Sequence, residues 1–379
     1  MTVVAVIFWA SLALLAWAHV GYPLFAAAWA RLRPRPVAAA GIEPRVGLVI
    51  AAHDEMPVIG ARLRNVLALD YPAEKLRVVV ASDASQDGTD DVVRGFAAQG
   101  IELRQCPRGG KVQAQNLTVR TLDDVDVVAF SDANCLWEPD ALRRLVRPFA
   151  DPEVAYACGR LRLQSPEGTN QEGTYWRLEL ALRAAESQMG SITGGNGSIY
   201  AVRRECYQEV DPRFGHDLSF PYLMVKGGRR AVYEPSAVAT EKMSTDLGDE
   251  FRRKVRMFGH CWLLVFRGRM FGLRALGPLY WVEMVSHRLL RYASGLLHLA
   301  LLAASIPLAL SRGGVYTVVL VLQLVLLVAA AAGALLRGRV RVLALAEYYL
   351  LITWATIVAL VEVATRGVPP VWDKAEGTR

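Results

Sequence analysis

Val46-Gly47-Leu48-Val49-Ile50-Ala51-Ala52-His53-Asp54-Glu55 is an apolar run that stops abruptly in three polar residues. A short run of this kind predicts a strand buried on both faces. The pattern recurs: Leu76 to Ala81 leads into Ser82-Asp83, and Val125 to Phe130 into Ser131-Asp132-Ala133-Asn134. Val154 to Leu161 and Ala231 to Tyr233 are two more such runs, with helical patterns between them. Strands alternating with helices predict an α/β domain, its sheet mainly parallel and covered on both faces. One acidic residue after a strand is ordinarily a helix cap or turn former. Three successive strands ending this way gather polar groups at the carboxyl edge of the sheet, where open α/β sheets bind ligands.

The flanks of this region are apolar. Of all residues, 53% are hydrophobic, which leans towards a membrane protein. Met1 to Ala30 holds no Lys, Arg, Asp or Glu and exceeds the roughly 20 residues needed to cross a bilayer. It is too long, and lacks the basic start, for a cleaved signal peptide, so an uncleaved anchor is expected. Tyr292 to Leu310, Val315 to Leu336 and Val342 to Ala364 predict three further spans, the last broken only by Glu347 and Glu362. Arg31, Arg33 and Arg35 follow the first span, and Arg337, Arg339 and Arg341 lie between the last two. Positive charge in short flanks marks the cytoplasmic side. The expectation is a multi-pass protein of the cell membrane with the polar middle, Pro44 to about Phe266, in the cytoplasm.

With 43 Lys and Arg against 36 Asp and Glu, the net charge is +7. The arginines concentrate beside the spans and in Phe251 to Arg274, where bulky apolar and basic residues mix. Anionic headgroups are the expected partner of such an interfacial stretch, and no nucleic-acid motif is present. Cys106, Cys135, Cys158, Cys206 and Cys261 are odd in number, with no C-x-x-C pair, and read as reduced packing residues. There are no repeats.

From Val46 to Trp262 the chain resembles glycosyltransferase family 2, which includes cellulose, chitin, hyaluronan and poly-N-acetylglucosamine synthases and lipid-directed sugar transferases. Val46 to Glu55 resembles a strand ending in P-x-Y-N-E, with Ala51 and His53 replacing Pro and Tyr. Ser82-Asp83-Ala84-Ser85-Gln86-Asp87-Gly88-Thr89 is similar to D-D-x-S-x-D-x-T, and Arg108-Gly109-Gly110-Lys111 with Asn116 to G-K-x-x-x-x-N. Asp132-Ala133-Asn134 stands where the family has its D-x-D metal motif. Thr193-Gly194-Gly195-Asn196-Gly197-Ser198 and the segment Ile199 to Glu205 resemble a stretch near the acceptor. His216-Asp217 takes the place of the E-D pair that carries the base, and Arg253 to Met257 that of Q/R-x-x-R-W.

The resemblance implies a GT-A fold, a Rossmann-like mixed sheet, over residues 44–240, with the first span at 1–30, interfacial helices at 241–291 and three spans at 292–365. It implies an inverting sugar transfer from a nucleotide-sugar donor, expected to carry UDP, to a membrane lipid or growing glycan. Ala52, His53, Glu55, Asp83, Lys111, Asp132, Arg253 and Arg256 would bind the donor. Gly194, Gly195 and Asn196 would face the acceptor, and Asp217 would be the base. Asp132 and Asn134 would hold Mg²⁺ or Mn²⁺ by oxygen ligands, as such hard cations require. His216 either tunes the base or packs. Three departures, Asn134, His216 and Met257, also keep open a membrane scaffold with a degenerate transferase domain; Met257 gives no flat platform for a processive polysaccharide synthase. A nucleotidyltransferase would instead have a glycine-rich loop after the first strand.

Overall fold

The three strand-end runs all become strands, and the chain between them folds to cover both faces of the sheet. The computed structural model describes residues 1–164, 173–242, 247–268, 270–272, 276–336 and 339–368. Within the sheet region the elements are β1 (Val46–Ala52), α2 (Met56–Leu67), β2 (Leu76–Asp83), α3 (Thr89–Arg94), β3 (Ile101–Cys106), α4 (Lys111–Val119), β4 (Val127–Asp132), β5 (Cys135–Trp137), α5 (Ala141–Val146), β6 (Val154–Gln164), α6 (Thr174–Met189), β7 (Ile199–Arg203), α7 (His216–Lys226) and β8 (Arg230–Lys242). They are preceded by a long helix α1 (Thr2–Leu32).

Strand periodicity sorts the core. Leu48 and Ile50, Val78 and Val80, Val127 and Ala129 point to one buried cluster, completed by Ile59, Leu63 and Val66 of α2. Val49, Val79, Ala81, Val128 and Phe130 point to the other, with Val112, Ala114 and Val119 of α4. Alternate residues of one strand face opposite sides of the sheet, so both faces are dry and the runs lose their polar alternation.

The sheet order is β3-β2-β1-β4-β7-β6-β8-β5. β3, β2, β1 and β4 are parallel neighbours, whereas β7 runs antiparallel to both β4 and β6. β6 and β8 pair in parallel, and β5 pairs antiparallel with β8. The sheet is therefore mixed, as the resemblance implies, with four parallel and three antiparallel pairings among the described residues. The reason is local: Ile199 to Glu205 begins as β7, and Ser131 of β4 is registered with Ile199. The glycine-rich loop before Ile199 thus sits at the carboxyl edge of β4, and a strand leaving that edge can only run back down. Asp83 and Asp132 are also the last residues of their strands rather than the loop residues after them.

The chain divides into two compact units, one formed by Ala26–Asp249 and Phe266–Trp281, the other by Met1–Phe25, Glu250–Val265 and Val282–Val368. The expected 241–291 element is thus split. Most of α8 (Leu247–Arg267) belongs with the apolar helices, where Trp262 Nε1 donates to Thr356 O at 3.0 Å and Tyr348 Oη to Glu250 at 3.2 Å. α9 (Ser294–Arg312), α10 (Val315–Leu335) and α11 (Arg341–Thr365) complete that unit. Together with α1 they are four helices long and apolar enough to cross a membrane. Arg274 and Arg337 lie outside the described residues.

Candidate functional site

The carboxyl edge of the sheet is held together by hydrogen bonds between successive strand ends. Asp54 Oδ1 accepts from Gln86 N at 2.7 Å, Ser85 Oγ receives Asp54 N at 3.0 Å, and Thr89 Oγ1 receives Glu55 N at 2.7 Å. His53 Nδ1 donates to Asp83 O at 2.8 Å. Asp54 and Ala84, just past β1 and β2, have φ of 48° and 55°, a region costly for non-glycine residues and concentrated at ligand-binding edges. Ala52 is buried at this edge, in register with Ser82 of β2.

Asp83 is 2% exposed. Its carboxylate receives the Arg108 guanidinium, Gly109 N at 2.7 Å and Gly110 N at 3.0 Å. Asp83 was expected among the donor-binding residues, and Gly109 and Gly110 lead into the helix that starts at Lys111. In the fold these groups satisfy one another, because a buried carboxylate needs its donors close by. What this pairing does is fix the loop that starts α4. Gly110, at φ 89°, is the residue that permits the turn.

Lys111 is the next residue, and its Nζ forms an ion pair with Asp132 and donates to Gly197 O at 3.2 Å. Asp132 also accepts from Ser198 Oγ at 3.3 Å. Ser198 Oγ lies 3.2 Å from Glu241 Oε2, and Asn134 Nδ2 donates to Glu241 Oε1 at 3.2 Å. Glu241, near the end of β8 and in register with Cys135, has no part in the sequence reading. No motif marks it, since it arrives from about a hundred residues away through sheet pairing. Behind this group Arg62 is fully buried over the Trp137 ring and hydrogen-bonded to Asn65, which in turn accepts from Trp137 N at 2.9 Å. Burial lowers the Arg62 pKa to about 10, with Cys135 and Asp132 opposing that shift; it stays charged at neutral pH.

The loop 193–198 links Asp132 to Asp217. At one end Ser198 and Gly197 bond Asp132 and Lys111; at the other, Gly195 N donates to Asp217 O at 2.7 Å. A Cβ on Gly195 would overlap the Tyr156 hydroxyl, so the close approach requires glycine here. Asn196, expected to meet an acceptor, is 6% exposed and has its amide committed: Nδ2 to Gly159 O at 2.6 Å, Oδ1 from Ser198 N at 3.1 Å and Ile199 N at 2.9 Å. Its side chain shapes the loop from inside.

Asp217 lies in the first turn of α7, whose N-cap is Gly215, so it does not cap the helix. Among the described residues its carboxylate has no hydrogen-bond or ion-pair partner. His216 turns the other way. It is 3% exposed, its Nδ1 is 2.9 Å from Tyr200 Oη, and it packs against Phe220 and Phe130. Burial, then the Lys111 charge, lower its pKa to about 3, so it is a neutral packing residue. Arg253 and Arg256 lie on α8, among the residues of the other unit, where Glu250 engages Arg253 at 2.8 Å.

Among the described residues no three His, Cys, Asp or Glu side chains form a metal-binding group on their own. Asp132 and the Asn134 amide nevertheless offer the hard oxygens a Mg²⁺ or Mn²⁺ takes, and the Lys111 ammonium already occupies a cation's position on Asp132.

A GT-A glycosyltransferase is the class this sheet and its edge define. The chain belongs to the family described as glycosyltransferase like family 2, whose model matches residues 44–259, more than half of its length. It is similar to a beta-monoglucosyldiacylglycerol synthase of Synechocystis sp., 32% identical over 165 residues, 41% of this chain and 33% of that one. An N-acetylglucosaminyltransferase of Rhizobium leguminosarum bv. viciae is 26% identical over 56% of this chain and 54% of its own. The match therefore spans a third to about half of these relatives' length. A solved mannosyltransferase of Pyrobaculum calidifontis, in complex with GDP-Man and Mn²⁺, superposes with a TM-score of 0.72 at 24% identity, covering 95% of this chain and 99% of the other, and so shares the fold.

Proposed function

We propose that this chain transfers a sugar, with inversion, from a nucleoside diphosphate sugar to an acceptor in or on the membrane, and that Asp217 is the catalytic base. The observation that carries this reading is the contrast along one loop. Asp132 at one end is already matched with Lys111, while Asp217 at the other has a carboxylate with no partner among the described residues. In the proposed step Asp217 takes the proton of the acceptor hydroxyl as that oxygen bonds to the anomeric carbon. The bond from that carbon to the diphosphate oxygen breaks on the opposite face, and the nucleoside diphosphate leaves with the electron pair. Lys111 and Arg108 supply positive charge on the donor side. A divalent cation held by Asp132 and Asn134 would neutralise the leaving diphosphate.

His53 and Glu55 remain the proposed contacts to the nucleoside. Four apolar helices support a lipid acceptor over a soluble one, as does the relative named for a glucosyldiacylglycerol product. Met257 in place of the aromatic platform favours a single transfer over processive polymerisation. The proposed placement is multi-pass in the cell membrane with the sheet domain cytoplasmic.

Nanodisc-embedded protein supplied with a panel of UDP- and GDP-sugars, Mg²⁺ or Mn²⁺ and lipid extract tests this. Release of nucleoside diphosphate from one donor, lost in Asp217→Asn, is expected. No release from any donor would move the protein to the scaffold reading, and a polymeric product would replace single transfer by processive synthesis.

A further inference from the structure

The family's metal motif has a carboxylate at both ends, and here the second end is Asn134. A neutral carbonyl in place of a carboxylate removes one negative charge from the cation site. Glu241 stands next to that substitution. Its Oε1 accepts from Asn134 Nδ2 at 3.2 Å, and its Oε2 shares the Ser198 hydroxyl with Asp132, at 3.2 Å and 3.3 Å. One hydroxyl can donate to only one of the two carboxylates at a time. Two carboxylates converging on a single proton repel each other unless a cation lies nearby. The chain provides Lys111 against Asp132 and the fully buried Arg62 behind them.

We propose that Glu241 is a metal ligand of this chain, supplying the second carboxylate of the cation site in place of Asn134. The proposal rests on the metal-dependent transfer reading. Three features support it beyond proximity. Glu241 is partly exposed rather than buried. Pairing of β5 with β8 fixes it opposite Cys135, one residue beyond Asn134, so it is positioned by the sheet rather than by a loop. Asn134 also donates its NH₂ to Glu241 at 3.2 Å, which holds the carboxylate beside the second position of the motif. The charge of an Asp-x-Asp pair is thereby restored from a distant strand, and donor phosphate oxygens and water complete the shell, as Mg²⁺ sites usually require.

The test reads metal binding, not turnover. Detergent-solubilised full-length protein is titrated with Mn²⁺, alone and with UDP or GDP, and free Mn²⁺ is followed by electron paramagnetic resonance. Glu241→Gln, which keeps size and hydrogen bonding, is expected to weaken Mn²⁺ binding by more than about 100-fold, beyond the roughly 10- to 100-fold that losing a hydrogen bond behind a ligand costs; a smaller loss leaves Glu241 outside the metal's own ligands and overturns the proposal. Adding Asn134→Asp to Glu241→Gln is expected to recover most of that loss, because the carboxylate returns to the motif. Thermal melting checks that each variant is folded. If Glu241→Gln does not fold, Glu241→Asp decides: drawing the carboxylate back by one methylene weakens Mn²⁺ binding if Glu241 is a ligand, and unchanged binding overturns the proposal. Unchanged binding in Glu241→Gln, or loss without recovery in the double variant, overturns the proposal. If wild type binds no Mn²⁺ with either nucleotide, the metal reading itself fails and Glu241 with it.

Discussion

The two halves of the sheet edge are built on opposite rules. On the parallel side, at the ends of β2 and β4, each key carboxylate already has its counter-charge: Asp83 with Arg108, Asp132 with Lys111. On the antiparallel side, where α7 starts, Asp217 has no such partner among the described residues. The proposed donor site calls for a rigid, charge-compensated cradle, since preorganised groups cost nothing to reorient during reaction. The proposed base calls for the reverse, since a carboxylate locked in an ion pair is a poor proton acceptor. The single loop 193–198 lets both conditions hold side by side, through Ser198 at one end and Gly195 at the other.

The sharpest way to break this comparison is at the uncompensated end. Asp217→Asn is expected to lower the transfer rate by about 10²- to 10⁴-fold while leaving Mn²⁺–nucleotide affinity unchanged, measured by stopped product assays and the titration above. If affinity falls with the rate, the two ends are not separate. At the compensated end, Asp132→Asn should weaken Mn²⁺-dependent nucleotide binding by at least the roughly 10- to 100-fold that losing a group behind a ligand costs and raise KM more than Asp217→Asn does. A drop in kcat with KM unchanged would instead place Asp132 with the base.

The loop itself should resist change. Gly195→Ala would press its methyl on Tyr156 Oη and is expected to cost about 1–3 kcal/mol, the usual range for overpacking. Tyr156→Phe in the same chain should return part of it, because the Tyr156 hydroxyl has no hydrogen bond among the described residues. Denaturant unfolding of the single and double variants measures this.

The last test lies at His216, beside the base but turned away from it. Its folded pKa of about 3 lies below the roughly 6.5 of an unfolded histidine. Between those values the unfolded chain binds a proton the folded one refuses, so the stability is whole above pH 6.5 and declines as pH falls towards 3. His216→Gln should flatten stability against pH between about 6.5 and 4.5; an unaltered slope would show that His216 is not the neutral packing residue.

Much of this architecture could be read in advance. The runs at Val46, Leu76 and Val154 are strands, the apolar stretches are helices long enough to span, and Asp217 lies in a helix's first turn. β7 was hidden because its five residues, Ile199–Arg203, show no clear periodicity after a glycine-rich loop. Burial of Asp83 was hidden because a strand-end aspartate looks the same whether it meets solvent, ligand or the amides of the next loop. His216 was ambiguous for the same reason: adjacent residues at a helix start point in different directions, and only the aromatic cluster around Phe130 and Tyr200 decides which way each faces.

What the sequence alone determined is therefore what depends on neighbours along the chain: buried strands from apolar runs, spans from length and hydropathy, and the order of polar blocks. Tertiary structure alone decided which charges meet. Lys111 reaches Asp132, Arg108 reaches Asp83, and Glu241 comes beside Asn134, across 21, 25 and 107 residues of chain. Electrostatic and hydrogen-bond partners are set by distances of a few ångströms through space, and sheet order fixes those distances without leaving a local mark in the sequence.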